Sequence, residues 1–296
     1  MPGFMTFITR RDNVVLIQFF ISIQSSMKSA SLFRVFFWAA LTAASSGAIA
    51  QVSTPINAQF EYDLKITADP AKRAAYLKQS GDTPSPYEQV FNLVKGSMQV
   101  ATVVDKVDIR KDQYHINSTG TLGSVLSTVL NDQKLLRDSV GSVTSTGMLT
   151  NTYQEKRGNT DLLIAKVEKN LVNFYKVSSR TPPVGSAPFS GYLFDMLTVG
   201  YQFIGRDLPT KSVTLPVTDG RSLKTYTLVR GEPWDFPFDG TNVKAIRYYK
   251  TTSKDDTATF EVWFSEKEHV PLRSVIGLNA QYGATIQVDL KKIPKL

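Results

Sequence analysis

The chain has 296 residues, no cysteine, 42% hydrophobic residues and a formal net charge of +8 from 34 Lys+Arg and 26 Asp+Glu. That composition suits a globular chain rather than a disordered one, and the lack of cysteine excludes disulfides, thiol chemistry and a lipid-anchored lipoprotein. The basic residues are scattered among acids, without the cluster that nucleic-acid binding needs, so no nucleic-acid partner is expected.

Residues 1–50 read as export signals rather than fold. Val35 to Ala44 is an apolar run behind Lys28 and Arg34, too short to cross a bilayer as a helix. Ala48-Ile49-Ala50 then supplies the small residues that a signal peptidase reads. A signal peptide over 27–50 is predicted, with cleavage between Ala50 and Gln51. A second apolar run, Val14 to Ile23, lies farther upstream than a leader normally begins. Residues 1–26 therefore read as an over-long start or a leader, with Met27 the expected start. Cleavage would remove four basic residues (Arg10, Arg11, Lys28, Arg34) and Asp12, taking the net charge from +8 to +5. The expected location is the periplasm, with 51–296 as a single β-rich domain.

Phe60 to Ile66 alternates apolar and polar residues and reads as the first strand. Asp69 to Lys78 has the signature of a short helix, with Asp69 as N-cap and Pro70 at the first position. Ser80 to Pro86 is a Gly/Pro/Ser loop. A strand interrupted at Gly96 is expected over Tyr87–Val104, continuing to Arg110, and another over Tyr114–Ser118. Gly120 to Leu130 has Leu122, Val125, Leu126, Val129 and Leu130 at helical spacing, which predicts a short amphipathic helix. Lys134–Thr146 and Gly147–Arg157 read as two strands. Leu162–Glu168 and Leu171–Val177 read as a hairpin around Lys169-Asn170, and Arg180–Pro188 as a Pro-rich connection.

Tyr192 to Ile204 is the most apolar stretch of the mature chain, with Leu193, Leu197 and Tyr201 at i, i+4 and i+8. It predicts a buried helix ending near Gly200. Strands follow over Lys211–Val217, Ser222–Val229 and Val243–Tyr249. Trp234-Asp235-Phe236-Pro237-Phe238 is aromatic but broken by proline, and reads as a loop. Ala258, Phe260, Val262 and Phe264 open a terminal meander that runs through Val270–Leu278 and Ile286–Leu290. So many strands with few crossovers predict a mainly β fold: a single curved antiparallel sheet or partly open barrel. Two or three short helices are expected, the one at Leu193–Tyr201 covering the concave face.

These features, in order, resemble the family called domain of unknown function 3108. The residues that carry the resemblance are FEYDLKI, KGSM, VDIRKDQYHINSTG, SVTSTGMLTNTYQEKRG, FDMLTVGYQF and above all VWFSEKEHVPLRSVI, with Trp263-Phe264 before a turn and Pro271-Leu272-Arg273 after it. Each motif is weak alone; their order over 58–293 persuades. The resemblance implies secreted or periplasmic proteins with curved β-sheets and no assigned activity. The stretch Asp69–Pro86 departs from the family's short opening turn.

Chemistry-bearing residues are sparse. His115 and His269 have no neighbours at metal-ligand spacing and read as structural or surface residues. Asp255-Asp256 and Glu266/Glu268 could pair as carboxylates for glycoside hydrolysis, but both sit in turn-like segments and read as solvated loop charge. Gly120 to Ser124 lacks the Lys-Ser/Thr of a phosphate loop. No catalytic residue, metal or cofactor is expected, and the chain reads as non-enzymatic. The many aromatics read as core or as the lining of an apolar cavity. The candidate lining is Leu193, Phe194, Leu197, Tyr201 and Trp263. Trp234, Phe236 and Phe238 form a candidate recognition loop. Three functions follow: a binder of a lipid or other apolar ligand or of an envelope partner, a solid-core assembly factor, and a hydrolase of envelope polymers.

Overall fold

In the computed structural model the described residues are 55–81, 94, 96–123, 134–144, 147–177, 182–251, 258–278 and 283–296. The expected leader and its expected cleavage point at Ala50-Gln51, Asp255-Asp256 and most of the Ser80–Pro86 loop lie outside them. Fifteen described strands form one antiparallel sheet: β1 (Ile56–Ala68), β2 (Ser97–Ile109), β3 (Gln113–Leu122), β4 (Lys134–Thr144), β5 (Gly147–Arg157), β6 (Leu163–Glu168), β7 (Leu171–Lys176), β8 (Gly185–Pro188), β9 (Phe194–Asp195), β10 (Val213–Thr218), β11 (Leu223–Phe238), β12 (Thr241–Lys250), β13 (Thr259–Ser265), β14 (Pro271–Gly277) and β15 (Ala284–Leu290). The one parallel contact joins β9 to β10. The fold is mainly β, as the alternation predicts.

The sheet grows outward from the chain's two ends. β1 pairs with β15, and from that seam β2 to β8 extend one arm and β14 back to β9 extend the other. The arms curl until Thr150 N–H, on β5, donates to Leu193 O (3.0 Å) beside β9. β5 and β9 do not pair as strands, so the sheet stays open. One core cluster takes side chains from both arms, among them Phe60, Ile116, Tyr153, Phe174, Phe236 and Leu272. A second core on β10–β13 gathers Leu215, Ile246, Tyr248 and Phe264 under Phe203 and Leu208.

Two helices are described. α1 (Pro70–Ser80) begins as predicted, with Asp69 Oδ1 accepting from Lys72 N–H (2.9 Å). Its C-cap, Gly81, adopts the left-handed backbone that glycine allows at no steric cost. α2 (Thr198–Tyr201) is a single turn. The buried helix expected within Tyr192–Ile204, ending near Gly200, is reduced to this turn, with Phe194-Asp195 in β9. The Asp195 carboxylate accepts from Leu197 and Thr198 N–H, and Asp195 N–H donates back to Thr198 Oγ1. These reciprocal bonds close a turn over Asp195–Thr198 ahead of α2, whose N-cap is Leu197, so the apolar spacing here is not that of one continuous helix.

Three further expectations change. Gly120–Leu122 belong to β3, paired with both β2 and β4, not to a helix; residues 124–130 lie outside the described set. Gly185–Pro188 form a short edge strand on β7 rather than a bare connection. Trp234–Phe238 are strand, not loop, and pair with β12 from Ala245 to Thr241. Beyond Leu228, β11 has a neighbour on one side only, where Pro233 and Pro237 are tolerated. Asp239-Gly240 then closes the hairpin, both at positive φ (46° and 74°), as a two-residue primed turn requires.

Candidate functional site

The segment Leu193–Ile204 is the centre of the molecule. Leu193, Leu197, Tyr201 and Ile204 enter the main core, while Phe194 and Phe203 enter the second. The Phe60 and Tyr201 rings pack at 5.0 Å between centroids. Leu193, Phe194, Leu197 and Tyr201 are all buried, as expected for a cover on the concave face. Trp263 stands apart, half-buried at the core's margin, with the Arg247 guanidinium 5.6 Å from its ring and the Arg247–Glu261 ion pair alongside.

The segment is anchored by polar groups that apolar periodicity does not reveal. The Asp195 carboxylate accepts from Ser139 Oγ and Thr150 Oγ1 across the interior, and Gln202 Oε1 accepts from Met148 N–H (3.2 Å). Tyr201 OH donates to Asp105 Oδ2 (2.7 Å) and lies 3.0 Å from Tyr62 OH. Burial raises the pKa of both carboxyls, chiefly by desolvation. For Asp105 the nearby Arg137 charge offsets this only in part.

Asp105 heads a row of inward residues in direct cross-strand register: Asp105, Ser118, Arg137 and Glu155. Arg137 Nη2 donates to Ser118 Oγ (3.0 Å), Tyr153 OH donates to Glu155, and Arg157 forms an ion pair with Glu155. Burial works against the Arg137 charge, but Tyr153, Asp105 and Glu155 hold its pKa above the ordinary value. Asp105 Oδ1 and Arg137 Nε have no hydrogen-bond partner among the described residues. Apart from Asp105 Oδ1, the oxygens of these three interior carboxylates bond hydroxyls, backbone amides or a guanidinium group, and all three residues are buried. Catalysis on a polymer needs carboxyls that a substrate can reach.

On the opposite face of the same four strands lies an open depression of about 400 Å³. It is lined by Val104 and Lys106 of β2, Asn117, Ser118 and Thr119 of β3, Leu136, Arg137 and Asp138 of β4, Gln154 and Lys156 of β5, and Leu162. Leu136 is 45% exposed there. None of Leu193, Phe194, Leu197, Tyr201 or Trp263 lines this depression.

The other sequence candidates are dispersed. Trp234 is 63% exposed, whereas Phe236, 5% exposed, lies in the core under Arg273, whose guanidinium is 4.8 Å from its ring. Phe238 is half-buried against that core. His115 sits on the outer face, 2.7 Å from Asp138. His269 lies in the β13–β14 turn at φ 56°. Among the described residues no three His, Asp or Glu side chains are grouped to hold a metal.

No helix among the described residues is long and apolar enough to cross a membrane. No curated protein matches the chain. Two solved structures are similar at 9% identity. One is a β-barrel-like protein of domain of unknown function DUF1849 from Brucella abortus, with 81% of this chain and 98% of that chain covered and a TM-score of 0.44. The other is a DUF1329 family protein from Desulfovibrio piger, with 81% and 85% covered and a TM-score of 0.23. The family model for DUF3108, a protein family of unknown function, matches residues 86–291. The match takes in β2 to β15, and with them the central segment, but not β1, and the chain belongs to the DUF3108 family.

Proposed function

We propose that this chain is an exported, non-enzymatic protein of the cell envelope that holds a lipid-like ligand against its curved sheet. The observation that carries the reading is the depression on the outer face of β2–β5, where Val104, Leu136 and Leu162 offer apolar surface beside polar groups. Ligand sites combine these two features. The seat proposed here is outside the sheet, since Leu193, Leu197 and Tyr201 pack into the main core and line no part of the depression. The leader-like residues 27–50 support export to the periplasm.

The test is expression of the full chain, purification from the periplasm, native mass spectrometry and organic extraction. A co-purifying lipid is expected, and it should be lost in Leu136→Asp, a change at an exposed position that leaves the fold intact. A bare mass for the unaltered protein, with no uptake from added lipid extract, overturns the reading. Trp234 favours a second reading, an assembly factor that meets an envelope protein through the one-sided half of β11. A photo-crosslinker at position 234 that captures no envelope protein in cells overturns that one.

A further inference from the structure

We infer that the depression on β2–β5 selects a single-chain lipid with an anionic headgroup. This rests on the ligand-binding reading above and adds the headgroup's charge.

The cross-strand register fixes what the depression presents. One outward row runs Lys106, Asn117, Asp138, Gln154, and the next runs Val104, Thr119, Leu136, Lys156. Glu155 pairs with Leu163, so Leu162 extends the second row beside Lys156. Strands lie ~4.8 Å apart, so each four-residue row is about 14 Å long. Lys106 and Lys156 stand at diagonal corners, both exposed, and neither has an ion-pair partner among the described residues.

Asp138 is the one acid in the lining, and it is already engaged by His115 and Asn117. Arg137 belongs to the inward row, with its Nη2 on Ser118 Oγ, and adds no free cation to this surface. The free charge of the surface is therefore positive, beside the apolar stripe of Val104, Leu136 and Leu162. An ammonium is a point charge that accepts a carboxylate or a phosphate equally well. A volume of about 400 Å³ is at the small end of ligand pockets, which suits one hydrocarbon chain rather than two.

The probes are decanoate, decanol and decyltrimethylammonium at submicellar concentration, each titrated into the purified protein and followed by amide shifts in β2–β5. Decanoate should bind at least about tenfold more tightly than decanol, a difference of ~1.4 kcal/mol, and the preference should shrink as salt is raised. The Lys106→Glu/Lys156→Glu variant should lose that preference and keep its affinity for decanol. Equal binding of decanoate and decanol, or a preference for the cation, overturns the headgroup inference and leaves the site standing. Retention of the decanoate preference in the double variant also overturns it. If none of the three probes moves these amides, the ligand-binding reading falls with it. Binding to vesicles of anionic phospholipid without any response to decanoate overturns the inference in favour of a membrane-surface contact.

Discussion

Asp195 shows how much one side chain decides. Its carboxylate takes two backbone N–H groups and two hydroxyls from three parts of the chain, and the turn at Thr198 exists because of it. A buried polar group left without its partner costs about 1–3 kcal/mol, so Asp195→Ala, which orphans several donors, should lower the unfolding free energy by about 3 kcal/mol in urea titrations. Asp105 adds a dependence on pH. Its folded pKa is raised, so its contribution is greatest below the ordinary carboxylate value and is lost as pH rises through the folded value. Across that window the stability of the unaltered protein should fall relative to Asp105→Asn, which has no proton to lose. Parallel pH profiles of the two proteins rule out this role for Asp105. Asp289 works in the opposite sense. Burial opposes its charge, yet hydrogen bonds from Arg273, Gln287 and Lys65 hold its pKa below the usual range, so the stability it provides is lost on acidification.

At the scale of elements, β11 and β4 carry the testable geometry. In β11 Trp234 and Phe236 lie two residues apart on one face of the strand, yet Trp234 is 63% exposed while Phe236 is buried under Arg273. Phe236→Ala should cost about 3–5 kcal/mol, as other buried Phe truncations do, while Trp234→Ala should stay within about 0.5 kcal/mol. Similar losses from both would contradict the difference in burial between them. In β4 the register slips between Val140 and Gly141, and a Cβ on Gly141 would lie 1.9 Å from Leu149 O and 2.7 Å from the Tyr114 ring. Gly141→Ala should therefore destabilise by about 1–3 kcal/mol through overpacking, read as a lowered thermal midpoint. The sequence carried usable signs of some of these details. Asp105 sits in phase with Val103 and Val107, so alternation alone places it inward. Asp239-Gly240 between alternating apolar residues is a strong hairpin signal, and it outweighs the prolines that suggested a loop.

For the whole molecule, the first and last strands are neighbours at the middle of the sheet. The seam is braced by Lys65 with Asp289 (3.1 Å) and by Lys291 with Glu61 (2.7 Å). Exposed ion pairs of this kind contribute little on their own; the seam's strength lies in its ladder and in Ile66, Ile286, Tyr62 and Leu290 beneath it. Truncation before Ala284 would remove β15 and bare long edges on β1 and β14. Size-exclusion chromatography should then show aggregates rather than a monomer, and a monodisperse, folded truncation would refute the central place of the seam.

The sequence by itself determined the mainly β class, the positions of nearly all strands, the Asp69 cap and the burial of Leu193, Phe194, Leu197 and Tyr201. These follow from period-two alternation, local capping and hydrophobicity, which act over a few residues. Only the tertiary structure decided that strands β1 and β15 meet, that Asp105 and Tyr201 share a hydrogen bond 96 residues apart in sequence, and that Lys106, Leu136 and Lys156 line one depression. Those arrangements depend on register across four strands and on how the arms curl. Such long-range pairing is set by the sum of many contacts and has no local mark in the chain.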